Sequence, residues 1–317
     1  MSSTETLTPP KESKQPTSSG FLSRVKSYFA DLQKQETFEI DGLGAVSRLT
    51  FLMLIASSGL DDMVEYIMIG LCVIGFVMPA IYRQPWLWFG ISATMVYGHL
   101  PYWYEIDNHK YLMVYWCIAM FCSTLLPDKM KAKSISFNAR WLIGLCFLFA
   151  TVWKVMVPNY VDNSFFTLQL LEDPRFYPAT MYVCGLTEDD MRGVHENLGE
   201  LENLYGTEKS VALMETLPPS VRNFALFLTW FTVGFEGLIA VCFLPLGVKF
   251  LDKIRHAMLI LFGVGVYALA TVQGFGLLLM TMGTAQCPMQ KQKTLISFIA
   301  VFAIINLYCL GKMLFNM

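Results

Sequence analysis

Charged residues make up only 15% of this 317-residue chain, and they gather in the N-terminal tail and a few connections. Between them lie apolar runs long enough to cross a bilayer, whose hydrocarbon core takes about 20 helical residues. Hydrophobic residues reach 55%, well beyond the balance of soluble domains. The runs fall at 43–60, 64–81, 85–101, 110–126, 138–157, 222–246, 256–282 and 294–314. The fold class expected is therefore all-α: a polytopic integral membrane helical bundle of about eight spans, with a small helical extramembrane cap. Pro79 and Pro85 interrupt the early runs, so seven spans with one re-entrant or tilted segment fit nearly as well. The net charge of −2 says little about partners. Membrane lipids are expected as partners and nucleic acid is not.

The chain divides into five stretches. Residues 1–20 are Ser, Thr, Pro and Lys without periodicity and read as a disordered cytoplasmic tail. In 21–36, Phe21, Leu22, Val25, Tyr28, Phe29 and Leu32 share one helical face, which predicts an amphipathic interfacial helix. Transmembrane helices 1–5 occupy 43–157, an outer cap or loop 158–221, and transmembrane helices 6–8 occupy 222–317. Basic residues set the orientation. Arg24, Lys26, Arg83, Lys129, Lys131, Lys133, Lys249, Lys253 and Arg255 fall on one side, which is expected to be cytoplasmic together with both termini. The 158–221 connection carries eleven acidic residues and falls on the outer, lumenal or periplasmic side. Lys291 and Lys293, in the last outer loop of this scheme, count against it.

Within the long connection Thr187 is an expected helix N-cap, with Glu188, Asp189 and Asp190 in the first turn. Met191, Val194, Leu198 and Leu201 then recur at helical spacing, which predicts a cap helix over 187–204. None of the eight cysteines has metal-ligand or CxxC spacing, so no metal site is expected. Cys184 and Cys287 are the two placed outside the bilayer, and in an oxidising space they are disulfide candidates.

Candidate chemistry gathers around the turn His99–Leu112, which holds two of the four histidines. His99, Tyr102 and Tyr104 end one span, Asn108 and His109 open the next, and Lys154 returns to the same face at the end of the fifth. A lysine within an apolar helix either becomes a base, because burial disfavours its charged form, or snorkels its ammonium to the headgroups. Glu236 lies about halfway through the sixth span, where a carboxylate costs about 2.5–3.5 kcal/mol on insertion scales and calls for a partner. Arg48 of the first span is the expected ion partner, unless it is held at the cytoplasmic surface. Gln273 is a further interior polar group. A haem between His99 and His109 is disfavoured, since both lie at helix ends beside a turn.

Three runs in these segments carry a resemblance. Asn108-His109-Lys110-Tyr111-Leu112, Phe149-Ala150-Thr151-Val152-Trp153-Lys154 and Pro158-Asn159-Tyr160-Val161-Asp162 resemble the membrane domain of vitamin K-dependent gamma-carboxylases. Bacterial relatives of that domain are grouped as the HTTM (horizontally transferred transmembrane) family. The resemblance spans roughly 45–280 and takes in Arg48, Glu236 and Arg255 through Gly276 more weakly. It implies that Lys154 is the base that deprotonates a hydroquinone, with His109 and Asn108 orienting or stabilising the quinolate. Asn163 and Thr151 stand where the family has glycines, and Gly265-Val266-Tyr267-Ala268 stands where it often has a histidine. With the chain ending at Met317 and no large soluble portion for glutamate substrates, carboxylation of proteins is not expected.

Two functions follow as expectations. One is a membrane-embedded oxidoreductase or quinol-handling enzyme, with catalytic Lys154, His109 and Asn108, substrate-binding His99, Tyr102, Tyr104 and Glu236, and a quinone or hydroquinone as ligand. The other is a non-enzymatic scaffold or accessory subunit that binds lipid or quinone within a larger membrane complex.

Overall fold

The computed structural model describes residues 40–193, 217–269, 272–287 and 292–315, and within them every regular element is a helix. The expected tail and amphipathic helix of residues 1–36, and Val194, Leu198 and Leu201, lie outside the described residues. In chain order the helices are α1 (Ile40–Ser57), α2 (Asp62–Val77), the single turn α3 (Pro79–Tyr82), α4 (Pro85–His99) and α5 (Asn108–Thr124). There follow α6 (Asp128–Met156), the turn α7 (Pro158–Val161), α8 (Ser164–Glu172), α9 (Tyr177–Cys184), α10 (Pro219–Phe243), α11 (Lys249–Leu269), α12 (Gln273–Thr284) and α13 (Gln292–Phe315). Proline sets several of the joints: Pro79, Pro85, Pro158 and Pro219 each stand at the first helical position, where the missing N–H costs nothing.

Among the described residues, three helices are long and apolar enough to cross a membrane: Asp128–Met156, Pro219–Phe243 and Gln292–Gly311. Shorter apolar helices cover Gly42–Ser57 and Met63–Val77.

Successive long helices run antiparallel, as their facing residues show. Gly75 lies against Phe51 of α1 and Leu87 of α4, and Gly98 lies against Leu60 and Val64. Phe89 meets Phe121, and the Ser123 and Ser134 hydroxyls are 2.9 Å apart between α5 and α6. Gly144 of α6 faces Phe243 and Leu244 at the end of α10, while Gly237 faces Thr151.

The expected span 256–282 is two helices, not one. α11 ends at Leu269, Val272 leaves helical geometry (φ −107°, ψ 75°), and α12 returns alongside α11, with Gly263 facing Met280 and Gly276 facing Tyr267. The physical reason lies in Gly274-Phe275-Gly276. A Cβ on Gly276 would stand 2.2 Å from the Tyr267 ring, and one on Gly274 would stand 2.6 Å from Met113. Only glycine lets the two helices approach so closely. The Tyr267 hydroxyl lies 2.6 and 2.8 Å from the carbonyls of Val272 and Gln273, holding the turn.

α12 has only twelve residues, about 18 Å at 1.5 Å per residue, against a bilayer core of about 30 Å. Every residue from Gly276 to Thr284 is buried. Such a helix, apolar all round, belongs inside a bundle, and α12 is packed by α1, α5, α6, α11 and α13. α13 then runs antiparallel to it, with Phe298 against Gly283 and Asn306 near Gln273.

The hairpin decides which residues share an end of the bundle. The connection after α12 comes back to the end of the bundle where α11 starts, as the His256–Phe298 ring contact at 5.7 Å records. Lys293 therefore joins Arg83, Lys129, Lys133, Lys249 and Lys253 at one basic end. α1 begins at that end and α13 finishes at the opposite one, so the helices nearest the two termini do not end on the same side. Cys184 and Cys287 are not joined to each other, because they lie at opposite ends of the bundle: Cys287 is buried just past the end of α12, whereas Cys184 sits beside the start of α10, where the Ser220 hydroxyl donates to its carbonyl.

Short helices occupy the described part of 158–193. Phe166, Leu170 and Leu171 of α8 pack with Val221, Phe224, Ala225 and Leu228 of α10 in a second small core. A further helix opens at Glu188, with Thr187 as its cap. The Thr187 hydroxyl accepts from the Asp190 amide at 3.2 Å, while the Asp190 carboxylate accepts from the Thr187 amide at 2.8 Å. Those hydrogen bonds hold the Asp190 carboxyl below the ordinary carboxylate range.

Candidate functional site

The last turn of α6 carries Lys154, and the antiparallel packing of α6 on α10 sets it opposite Glu236. The Lys154 Nζ lies 2.6 Å from Oε1 and 2.5 Å from Oε2 of Glu236. The two side chains are 14% and 10% exposed. The Tyr160 ring, just past the Pro158 joint, lies 5.9 Å from the ammonium. Arg48 is not the partner of Glu236, because it sits at the basic end with its guanidinium 5.9 Å from the Tyr82 ring. The ammonium of Lys154 is closed over by a carboxylate rather than carried free to the membrane surface. Pairing answers the desolvation that either charge alone would meet.

A second polar cluster occupies the neighbouring turn. His99, at the end of α4, is 5% exposed, and its Nε2 has no hydrogen-bond partner among the described residues. The Lys110 ammonium donates to the Ser57 carbonyl, and the Ser58 hydroxyl lies 3.4 Å from Glu65. His109 Nδ1 is 3.9 Å from Asp107, which stands in extended geometry at the N-cap position of α5 without a side-chain capping hydrogen bond. Asn108, Tyr102 and Tyr104 are exposed, and Tyr104 makes an edge contact with Trp103 at 6.1 Å.

Aromatic rings join the two clusters. His109 lies 6.5 Å from Phe275, Phe275 lies 6.0 Å from Phe147 and 6.2 Å from Phe262, and Phe235 beside Glu236 lies 5.9 Å from Phe262. No hydrogen bond or ion pair links His109 to Lys154 among the described residues. Nor do three His, Cys, Asp or Glu side chains converge there as a metal site would need.

Sequence reasoning missed Lys110 and Tyr160 as parts of these clusters. Each sits inside a motif that was singled out for other residues, so neighbourhood in the chain was the available signal. The two missing glycines of the resemblance have local explanations. Asn163 adopts a left-handed conformation (φ 69°), which asparagine tolerates better than most residues. Thr151 meets Gly237 of α10, so the small residue at this crossing stands on the other helix.

Among the described residues, the fold and site define an all-helical protein with three membrane-length helices and a buried lysine–glutamate pair. Comparison with protein-family models, with curated proteins and with solved structures found no match to this chain.

Proposed function

We propose that this chain is a membrane-embedded, quinol-handling enzyme of the oxidoreductase class in which Lys154 is the base. The observation that carries the reading is the Lys154–Glu236 pair, enclosed by apolar helices and bordered by the Tyr160 ring. In the step proposed, Lys154 passes its proton to Glu236, leaving a neutral amine beside a neutral carboxylic acid. The amine then takes a hydroxyl proton from a hydroquinone-like ring, and a lysine ammonium faces the new phenolate. The site as a whole stays neutral throughout, as a low-dielectric interior favours. Phe275, neighbour to both His109 and Phe147, offers a ring face between the clusters. On the resemblance, His109 and Asn108 then stabilise the phenolate, with His99, Tyr102 and Tyr104 at the mouth.

Lys154 only moves the proton, and the two electrons of the hydroquinone go to an external acceptor, so oxidation of a hydroquinone by the protein in nanodiscs with dioxygen supplied as that acceptor tests this. Lys154→Ala loses turnover, and so does the charge-swapped K154E/E236K variant, which keeps the ion pair. Wild-type turnover in either variant would sink the assignment.

A scaffold or accessory subunit of a larger membrane complex is the second reading. It is favoured by the same pair tying α6 to α10 and by the lack of a polar link from His109 to Lys154. Under it, the charge-swapped variant keeps all measurable properties, including co-purifying subunits.

We read the basic end as cytoplasmic, supported by Arg83, Lys129, Lys133, Lys249, Lys253 and Lys293. The nine long helices among the described residues then alternate through the membrane region, α12 without crossing it fully. The described helices of the 158–193 stretch and the end of α13 face the outer side.

A further inference from the structure

We propose that Arg48 and Arg83 form a site for the phosphate of an anionic phospholipid headgroup at the basic end of the bundle. Their guanidiniums lie 5.9 and 5.8 Å from the centroid of the same Tyr82 ring. That ring is a fixed platform: Tyr82 is 4% exposed, and its hydroxyl is tucked so close to Gly44 that a Cβ there would stand 2.9 Å away. The arginines themselves are exposed, and among the described residues neither makes an ion pair or a hydrogen bond. Asp128, close enough to feel Arg83, is already held by Lys131 at 2.9 Å.

Position supports the assignment. Arg48 lies on α1 between Gly44, which meets Tyr82, and Phe51, which meets Gly75 near the end of α2. The guanidinium thus emerges where the apolar wall of α2 gives out, at the depth where long cationic side chains reach headgroups. Guanidinium forks match phosphate oxygens in pairs. Two of them without a counterion among the described residues leave an excess of positive charge that the phosphodiester's negative charge offsets in part. Lys129, Lys133, Lys249, Lys253 and Lys293 at the same end attract anionic lipid toward it. The proposal assumes membrane insertion but is independent of the chemistry at Lys154.

The test is native mass spectrometry of the full chain, extracted from bilayers holding equal phosphatidylglycerol and phosphatidylcholine. Wild type retains the anionic lipid about thirty-fold over phosphatidylcholine, as two interfacial cations predict. R48Q/R83Q falls to near-equal retention, while R48K/R83K falls part of the way. Lys154→Ala retains lipid like wild type, which separates this result from the quinol reading. Equal retention of the anionic lipid by wild type and R48Q/R83Q overturns the proposal. So does displacement of the lipid by millimolar inorganic phosphate, which would make this a free-phosphate site. If R48Q/R83Q fails to fold, the single variants R48Q and R83Q decide by the same measure, each lowering the retention ratio about five-fold if the site is real.

Discussion

At Lys154 and Glu236 two charges survive among apolar helices because each removes the other's need for water. A pair of this kind contributes little net stability against an apolar replacement, yet breaking it is costly. Glu236→Ala should therefore destabilise the protein by about 3–5 kcal/mol, since it strands an ammonium. The double variant K154M/E236L should recover most of that loss. Thermal unfolding in detergent of the single and double variants checks this, and additive losses would show that the two residues do not act as a pair. The sequence marked both residues as out of place in apolar runs but matched Glu236 with Arg48. Which cation reaches Glu236 depends on helix pairing, and α6, not α1, packs on the face of α10 that carries it.

At the scale of elements, the α11–α12 hairpin depends on one close approach. Gly276→Leu should drive the two helices apart and cost about 1–3 kcal/mol or more by overpacking. Tyr267→Ala in the same chain should restore part of it, read as recovery of the unfolding midpoint. No recovery would place the strain elsewhere. The cap at Thr187 makes a different prediction. Asp190 is held below the usual carboxylate range by its hydrogen bonds to Thr187, so its contribution is complete at neutral pH and fades only as pH falls through that lowered value. Amide exchange at Thr187 should be steady from neutral pH down to the ordinary carboxylate range, about pH 4, and show lost protection below it. In Asp190→Asn the protection should be weak at every pH.

For the whole molecule, the hairpin puts two long helices where one span was expected, making their number odd among the described residues, and places Lys293 among the other basic residues. Single cysteines in a cysteine-free background test this directly. K249C and K293C should react with an impermeant maleimide from the same side of the membrane, and Y104C from the other. Labelling of K293C together with Y104C would restore the single 256–282 span. The apolar runs determined the helical class and the approximate helix positions through most of the chain, because burying backbone amides away from water leaves helices as the local solution. The basic connections likewise showed one end of the bundle, apart from the exception at Lys291 and Lys293. The break between Leu269 and Gln273 was not legible, since a largely apolar run reads the same whether it crosses once or turns back. That choice rests on what Gly274 and Gly276 meet, namely Met113 from α5 and Tyr267 from α11. The sequence alone thus supplied the helices and the charges that needed company. Only the tertiary structure decided their partners, because a partner is fixed by which helix packs beside which, and residues far apart in the chain set that packing.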